Sequence, residues 1–204
     1  MEEYQNSCAA VCMRLVTLLG KAVTLCANDS DKFADFDFAP HFTNPLRVLR
    51  LLHYNKKTSS IKDGIFGCGA HTDYGMLTLL LTDDVPALQI YPRSSEQKDA
   101  QIAKDDPNWK TVPPMEGAFI VNLGDLLQRW TNDMYKSTLH RVVNLSNKER
   151  YSVPFFFAPN FDCKVECIPA CCDTKEAMYP STTSGKHLRG RYVAAHRDIS
   201  KNLL

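Results

Sequence analysis

Two hydrophobic periods organise this chain. Over residues 7–27 apolar positions return with a helical period, and Val11, Leu15, Leu18, Leu19 and Val23 can line one face while Arg14 and Lys21 turn to solvent. That predicts a packing helix laid against a sheet. Asn28-Asp29-Ser30-Asp31 then offers a stop or a new cap, and Phe33, Phe36, Phe38 and Phe42 follow as core aromatics. From there the pattern changes to short apolar stretches divided by turn residues. Strands are predicted over 46–54, from 69 into 81 with an end at Asp83-Asp84, and over 87–91, 109–112, 118–123, 140–143 and 150–158. Lys56 to Gly64 reads as a polar loop and Pro92 to Pro107 as a mobile one. Gly124 to Trp130 reads as a helical turn or tight loop, and Lys186 to Arg197 as a solvated, basic terminal helix. Many short strands at near-regular spacing suggest a sandwich or a barrel-like jelly roll.

Length and charge narrow the class. A chain of 204 residues suffices for one domain with a full core. With 24 Lys plus Arg against 23 Asp plus Glu, the basic excess of a nucleic-acid binder is missing. No uninterrupted apolar run approaches the ~20 residues of a membrane span, and Glu2 and Glu3 carry the wrong charge for a signal peptide. The expectation is a cytoplasmic enzyme or binding domain with a small-molecule partner, no nucleic acid and no membrane. Eight cysteines are spread without a disulfide framework, and unpaired thiols are expected. The late group Cys163, Cys167, Cys171 and Cys172 lacks the paired hooks of a zinc site.

The chemistry centres on Gly69-Ala70-His71-Thr72-Asp73-Tyr74-Gly75. On an extended backbone His71 and Asp73 face the same way and can hold adjacent corners of a metal's coordination sphere. Two histidines and one carboxylate with open positions opposite are the ligand set of a non-haem iron(II) oxygenase. The leading candidate for the third ligand is His140, in Ser137-Thr138-Leu139-His140-Arg141-Val142. His41, His53, His187 and His196 have no evident ligand partner.

A larger set of features stands in order around these residues. Arg50-Leu51-Leu52-His53-Tyr54 comes first, then the His71–Asp73 stretch with Leu77-Thr78-Leu79-Leu80. Leu88-Gln89, Trp109, Val112-Pro113, Gly117-Ala118-Phe119 and Val121-Asn122-Leu123-Gly124-Asp125 follow. Last come the His140 segment and Arg150-Tyr151-Ser152 ahead of Pro154-Phe155-Phe156. Residues 47–162 thereby resemble the catalytic core of the Fe(II)/2-oxoglutarate-dependent dioxygenases of the isopenicillin N synthase-like group.

The resemblance implies a mainly β (α+β) fold, a double-stranded β-helix (jelly roll) with flanking N-terminal and C-terminal helices. It divides the chain into a helical segment at 1–45, a catalytic core at 46–162 and an extension at 163–204. It implies iron(II) held by His71, Asp73 and His140. Arg150 and Ser152, as the family's Arg-x-Ser motif, would bind the distal carboxylate of 2-oxoglutarate, with Tyr54 adding a hydroxyl. The pairing is chemically apt, because a guanidinium meets a carboxylate through two parallel charge-assisted bonds. Phe156 shares the face of Ser152 and is a candidate cavity residue, whereas Asn122 and Asp125 read as turn formers. The implied activity is oxidation of a C–H bond of a small organic substrate, with ascorbate a further candidate reductant. The alternatives are a non-catalytic jelly-roll scaffold and an oxidase of the same family that does not use 2-oxoglutarate. Family chains carry a longer region ahead of the core, an extra layer this chain is expected to lack, and proline where Asn55 stands here.

Overall fold

The computed structural model describes residues 1–26, 36–56, 59–92, 102–172 and 176–195. Asn28 to Asp31, Phe33, most of the loop after Pro92, and His196 lie outside them.

Helix α1 (Glu2–Cys26) is longer than its sequence period suggested and is turned by about one position. Its buried face is Cys8, Cys12, Val16 and Val23, while Val11 and Leu18 are 39% and 61% exposed. The buried side chains stand mostly four apart and are small, so the helix lies close to the sheet. At Gly20 the approach is closest, since a Cβ there would strike the Phe36 carbonyl oxygen. Glu2–Leu25 is also long and apolar enough, by length and composition, to cross a membrane. Uninterrupted apolar runs do not reveal this, because Arg14 and Lys21 divide the stretch, the sole charges of the helix after Glu3. In the fold one face of this helix is core.

Two antiparallel sheets face one another. The larger comprises β1 (Leu46–Leu49), β2 (Leu52–Tyr54), β4 (Leu77–Thr82), β7 (Ile120–Leu123) and β9 (Arg150–Ala158). Its order is β1-β9-β4-β7, with β2 also on β9. The second has the order β3-β8-β5-β6, from β3 (Cys68–His71), β5 (Leu88–Tyr91), β6 (Lys110–Thr111) and β8 (Leu139–Val142). A small ribbon joins β10 (Lys164–Val165) to β11 (Thr182–Thr183). Short helices α2 (Asp125–Trp130) and α3 (Pro169–Cys172) and the terminal α4 (Ser184–Ala195) complete the jelly roll.

Strand alternation gives the larger sheet two functions. Leu77, Leu79, Phe155 and Phe157 point toward α1 and are fully buried. Thr78, Leu80, Arg150, Ser152, Pro154 and Phe156 point into the space between the sheets. The same core cluster takes in Cys8 and Val16 from α1 and Cys163, Val165 and Ile168 from beyond β9.

Several expectations needed revision. The single strand over 46–54 is two, broken at Arg50 and Leu51. The strand expected from 69 to 81 is likewise two, and they belong to different sheets. The chain leaves the second sheet after His71 and enters the first at Leu77, so Asp73 sits in a corner, not on a strand. The described part of the loop after Pro92 is fastened: Tyr91 donates to Asp106 at 2.9 Å, and Arg141 donates to the Lys104 carbonyl at 2.5 Å. Cys167 and Cys172, expected as thiols, pair as a disulfide, since the turn into α3 brings their Cα atoms to 6.5 Å. Cys8, Cys12, Cys68 and Cys163 are free thiols.

Candidate metal centre and its cavity

The site begins with a bulge. Strand β3 pairs with β8 so that Cys68 opposes Val142 and His71 opposes His140. Three residue steps on β3 therefore match two on β8, and Cys68 and His71 both face the cavity despite their odd spacing. The two imidazole rings end with centroids 4.2 Å apart.

Each ring is oriented the same way. His71 Nδ1 lies 2.8 Å from the Gly69 carbonyl, and His140 Nδ1 lies 2.9 Å from the Thr138 carbonyl. An Nδ1–H donated to a backbone oxygen leaves the Nε2 lone pair free to ligate. Burial holds the His140 pKa below its ordinary value, against the upward pull of Asp73. For His71 burial acts downward too, but Cys68, the Gly69 carbonyl and Asp73 outweigh it and push the value up to about 9.

Asp73 completes the group. Its Oδ1 lies 3.9 Å from His71 Nε2 and 3.8 Å from His140 Nε2, and the three ligand atoms are all within 4.8 Å of one another. Because Asp73 follows the end of β3, strand alternation does not aim it. The aim comes from neighbours. Its Oδ2 accepts 2.6 Å hydrogen bonds from Thr78 Oγ1 and from Asn122 Nδ2. Thr78 and Asn122 are cross-strand partners on β4 and β7, so one rung of the sheet fixes one oxygen and leaves Oδ1 toward the histidines.

The backbone of the corner is held as firmly. The N–H groups of Gly124, Asp125 and Leu126 at the start of α2 donate to the carbonyls of Met76, Asp73 and Gly75. Those amides have no intrahelical partner, and the corner satisfies them. Gly124 tolerates no side chain, since a Cβ would strike the Gly75 oxygen and come within 2.9 Å of the Asp73 oxygen. From the far end of the chain, Arg191 on α4 places Nε 3.0 Å from Asp125 Oδ2 and donates to Thr72 Oγ1 at 3.1 Å. Its guanidinium also covers the Tyr74 ring at 4.9 Å. Helix α4 is thus not merely solvated, and His187, 3.9 Å from Asp125, is part of the same contact.

Opposite the triad the cavity, about 320 Å³, runs along the inner face of β9. Arg150 is 1% exposed, and its Nε and Nη1 are buried with no hydrogen-bond partner. Tyr54 is its cross-strand partner, with the ring 5.2 Å from the guanidinium carbon. Burial lowers the Arg150 pKa from its ordinary value, partly offset by Tyr54 and Asp83. Ser152 is buried two residues along and Phe156 four beyond that, and both line the cavity. All seven residues singled out from the sequence, His71, Asp73, His140, Arg150, Ser152, Tyr54 and Phe156, are brought to this one space.

Several residues were misjudged or missed. Asn122 is more than a turn former, because it holds the carboxylate, as Thr78 does. Asp125 and Arg191 tie the corner to α4. Only Asn122 had a sequence signal, its equal parity with Ile120 on an otherwise apolar strand. His41 packs against Trp130, and His53 stacks on Tyr151 at 4.6 Å.

The donor set fits a ferrous ion with one open face. A buried guanidinium with open donors fits a carboxylate, since burying an unpaired charge costs several kcal/mol. The cavity therefore suits iron(II) and a dicarboxylate together.

Comparison with known proteins bears on the same residues. The profile of the 2OG-Fe(II) oxygenase superfamily matches residues 30–159, the stretch containing all seven residues singled out from the sequence. A 2-oxoglutarate-Fe(II) type oxidoreductase of Emericella nidulans is 42% identical over 161 residues, 78% of this chain and 43% of that protein. The homoarginine-6-hydroxylase 2-ODD-C23 of Glycine max is 33% identical over 210 residues, 98% of this chain and 56% of that protein. Among solved structures, a full-length Neurospora crassa protein in complex with alpha-KG and thymine superposes with a TM-score of 0.74 at 30% identity, over 95% of this chain and 55% of that one. The chain spans about half the length of the curated relatives it matches. With a His71–Asp73–His140 triad facing a buried Arg150 across a jelly-roll cavity, this chain belongs to the 2OG-Fe(II) oxygenase superfamily.

Proposed function

We propose that the protein is an Fe(II)- and 2-oxoglutarate-dependent dioxygenase that oxidises a C–H bond of a small organic molecule. The observation that carries this is the convergence of His71, Asp73 and His140 to within 4.8 Å, in the cavity that also holds the buried Arg150, whose Nε and Nη1 have no hydrogen-bond partner. Relatives named for homoarginine and solved with thymine support a small polar substrate, and the cavity volume suits one.

When bound, iron(II) and 2-oxoglutarate supply the oxidising power by coupling decarboxylation of the cosubstrate to oxygen activation. The chain's own residues bind and orient. His71 and His140 present Nε2 because their Nδ1 atoms are committed to Gly69 and Thr138. Asp73 presents Oδ1 because Thr78 and Asn122 hold Oδ2. Arg150 takes the distal carboxylate through paired donors, and Ser152 and Tyr54 offer hydroxyls beside it. Leu80, Leu88, Ile90 and Val142 line the space and exclude water.

The test is a titration of the iron(II)-loaded protein with 2-oxoglutarate under nitrogen, then exposure to oxygen. The expected result is a weak visible charge-transfer band from the chelated cosubstrate, then succinate release. Iron binding without the band supports the non-catalytic jelly roll. Oxygen consumption without 2-oxoglutarate supports the oxidase.

A further inference from the structure

We propose that Arg50 anchors an anionic group, a carboxylate above all, on the substrate whose C–H bond is oxidised. The inference rests on the oxygenase reading and names its substrate class. Two arginines line the cavity, the buried Arg150 of β9 and the exposed Arg50, and only Arg150 is accounted for by the cosubstrate. Arg50 lies at the break between β1 and β2, opposite Pro154, where its N–H donates to the Pro154 carbonyl at 3.1 Å. It shares the inward face with Leu52 and Tyr54. At the rise of an extended strand its Cα is about 13 Å from the level of Tyr54 and Arg150, so the two cations serve different anions.

The Arg50 side chain has no hydrogen bond or ion pair among the described residues. The carboxylate in the cavity wall cannot neutralise it. Asp73 Oδ2 is held by Thr78 and Asn122, and Oδ1 faces the histidines. Around Arg50 the wall is apolar, formed by Leu52, Ile120, Val121, Pro154 and Phe156. A cation at the rim of an apolar slot draws anions inward and meets a carboxylate through two parallel bonds. The matching molecule has a carboxylate head for Arg50 and an apolar or aromatic body for Phe156, which brings that body to the metal side of the cavity.

The test uses the full chain loaded with iron(II) and 2-oxoglutarate under nitrogen, reading perturbation of the visible band. The probes are matched pairs: phenylacetate with phenylacetamide, and benzoate with benzamide. In the wild type at least one acid is expected to bind about tenfold more tightly than its amide, equivalent to ~1.4 kcal/mol. Arg50→Gln is expected to bring acid and amide to within about twofold, and Arg50→Lys to retain part of the preference, as a point charge without the fork does. Arg47→Gln is the control, because Arg47 is exposed and donates to Asn6; it should keep the full preference. Acids and amides that bind alike, no binding by any probe, or a preference that survives Arg50→Gln each overturns the inference. Absence of the band in the wild type overturns the oxygenase reading, and this inference with it.

Discussion

The floor and the mouth of the cavity are built on opposite principles. At the floor every reactive atom is fixed by a partner. Two backbone carbonyls set the histidine rings, a threonine and an asparagine hold one oxygen of Asp73, and the amides of Gly124 and of the first two residues of α2 hold the corner it stands on. At the mouth the side chains have few partners or none. Leu51 is 64% exposed beside Arg50, and Val48 and Val121 stand open to solvent nearby. The difference follows from what each part must do. Holding a metal in a fixed geometry requires ligands whose orientation is settled in advance. Admitting a substrate requires surface that remains available to it.

The largest effect should come from breaking the floor at a ligand. Asp73→Ala or His140→Ala is expected to reduce succinate release to background and to abolish stoichiometric iron binding, which metal analysis after gel filtration checks. Next is the far wall. Arg150→Lys removes the paired donors and leaves a single buried ammonium, and should weaken 2-oxoglutarate binding by about 2 kcal/mol or more, roughly thirtyfold, in the anaerobic titration. A smaller effect is expected where the floor is held indirectly. Asn122→Ala leaves all three ligands in place but frees Asp73 Oδ2 from one of its two donors, and should lower iron affinity by ~10–100-fold. If Asn122→Ala bound iron as tightly as the wild type, the contrast between a fastened floor and an open mouth would lose its main support. The smallest effect belongs to the mouth. Leu51→Ser should change stability by less than about 0.5 kcal/mol in a denaturant titration, because the side chain is mostly in water already.

How much of this could be read in the sequence depended on whether a contact was local. His140, Arg150 and Ser152 were legible because each sits on a strand whose alternation decides which way it points. His71 and Asp73 were correctly paired, but for an incomplete reason. The strand ends at His71, and Asp73 is aimed by hydrogen bonds from β4 and β7 that period-two alternation does not describe. In α1 apolar residues occur on more than one side, so periodicity left the buried face uncertain by one position. Contact with the sheet chose Cys8, Cys12 and Val16 over Val11 and Leu18. Arg191 carried no signal at all, because its partners Thr72 and Asp125 are 119 and 66 residues away in the chain.

By itself the sequence determined which chemistry the chain can do. Imidazole, carboxylate and guanidinium have coordination and hydrogen-bonding properties that belong to the side chain, and strand alternation, a local steric rule, sent most of them to one face. What the tertiary structure alone decided is where the metal-binding oxygen of Asp73 points and how firmly it is held. That outcome depends on two sheets, the start of α2 and the end of α4 meeting at one corner, and on Gly124 being small enough to let them meet. Contacts between segments so distant along the chain exist only after the core has closed, and no local pattern encodes them.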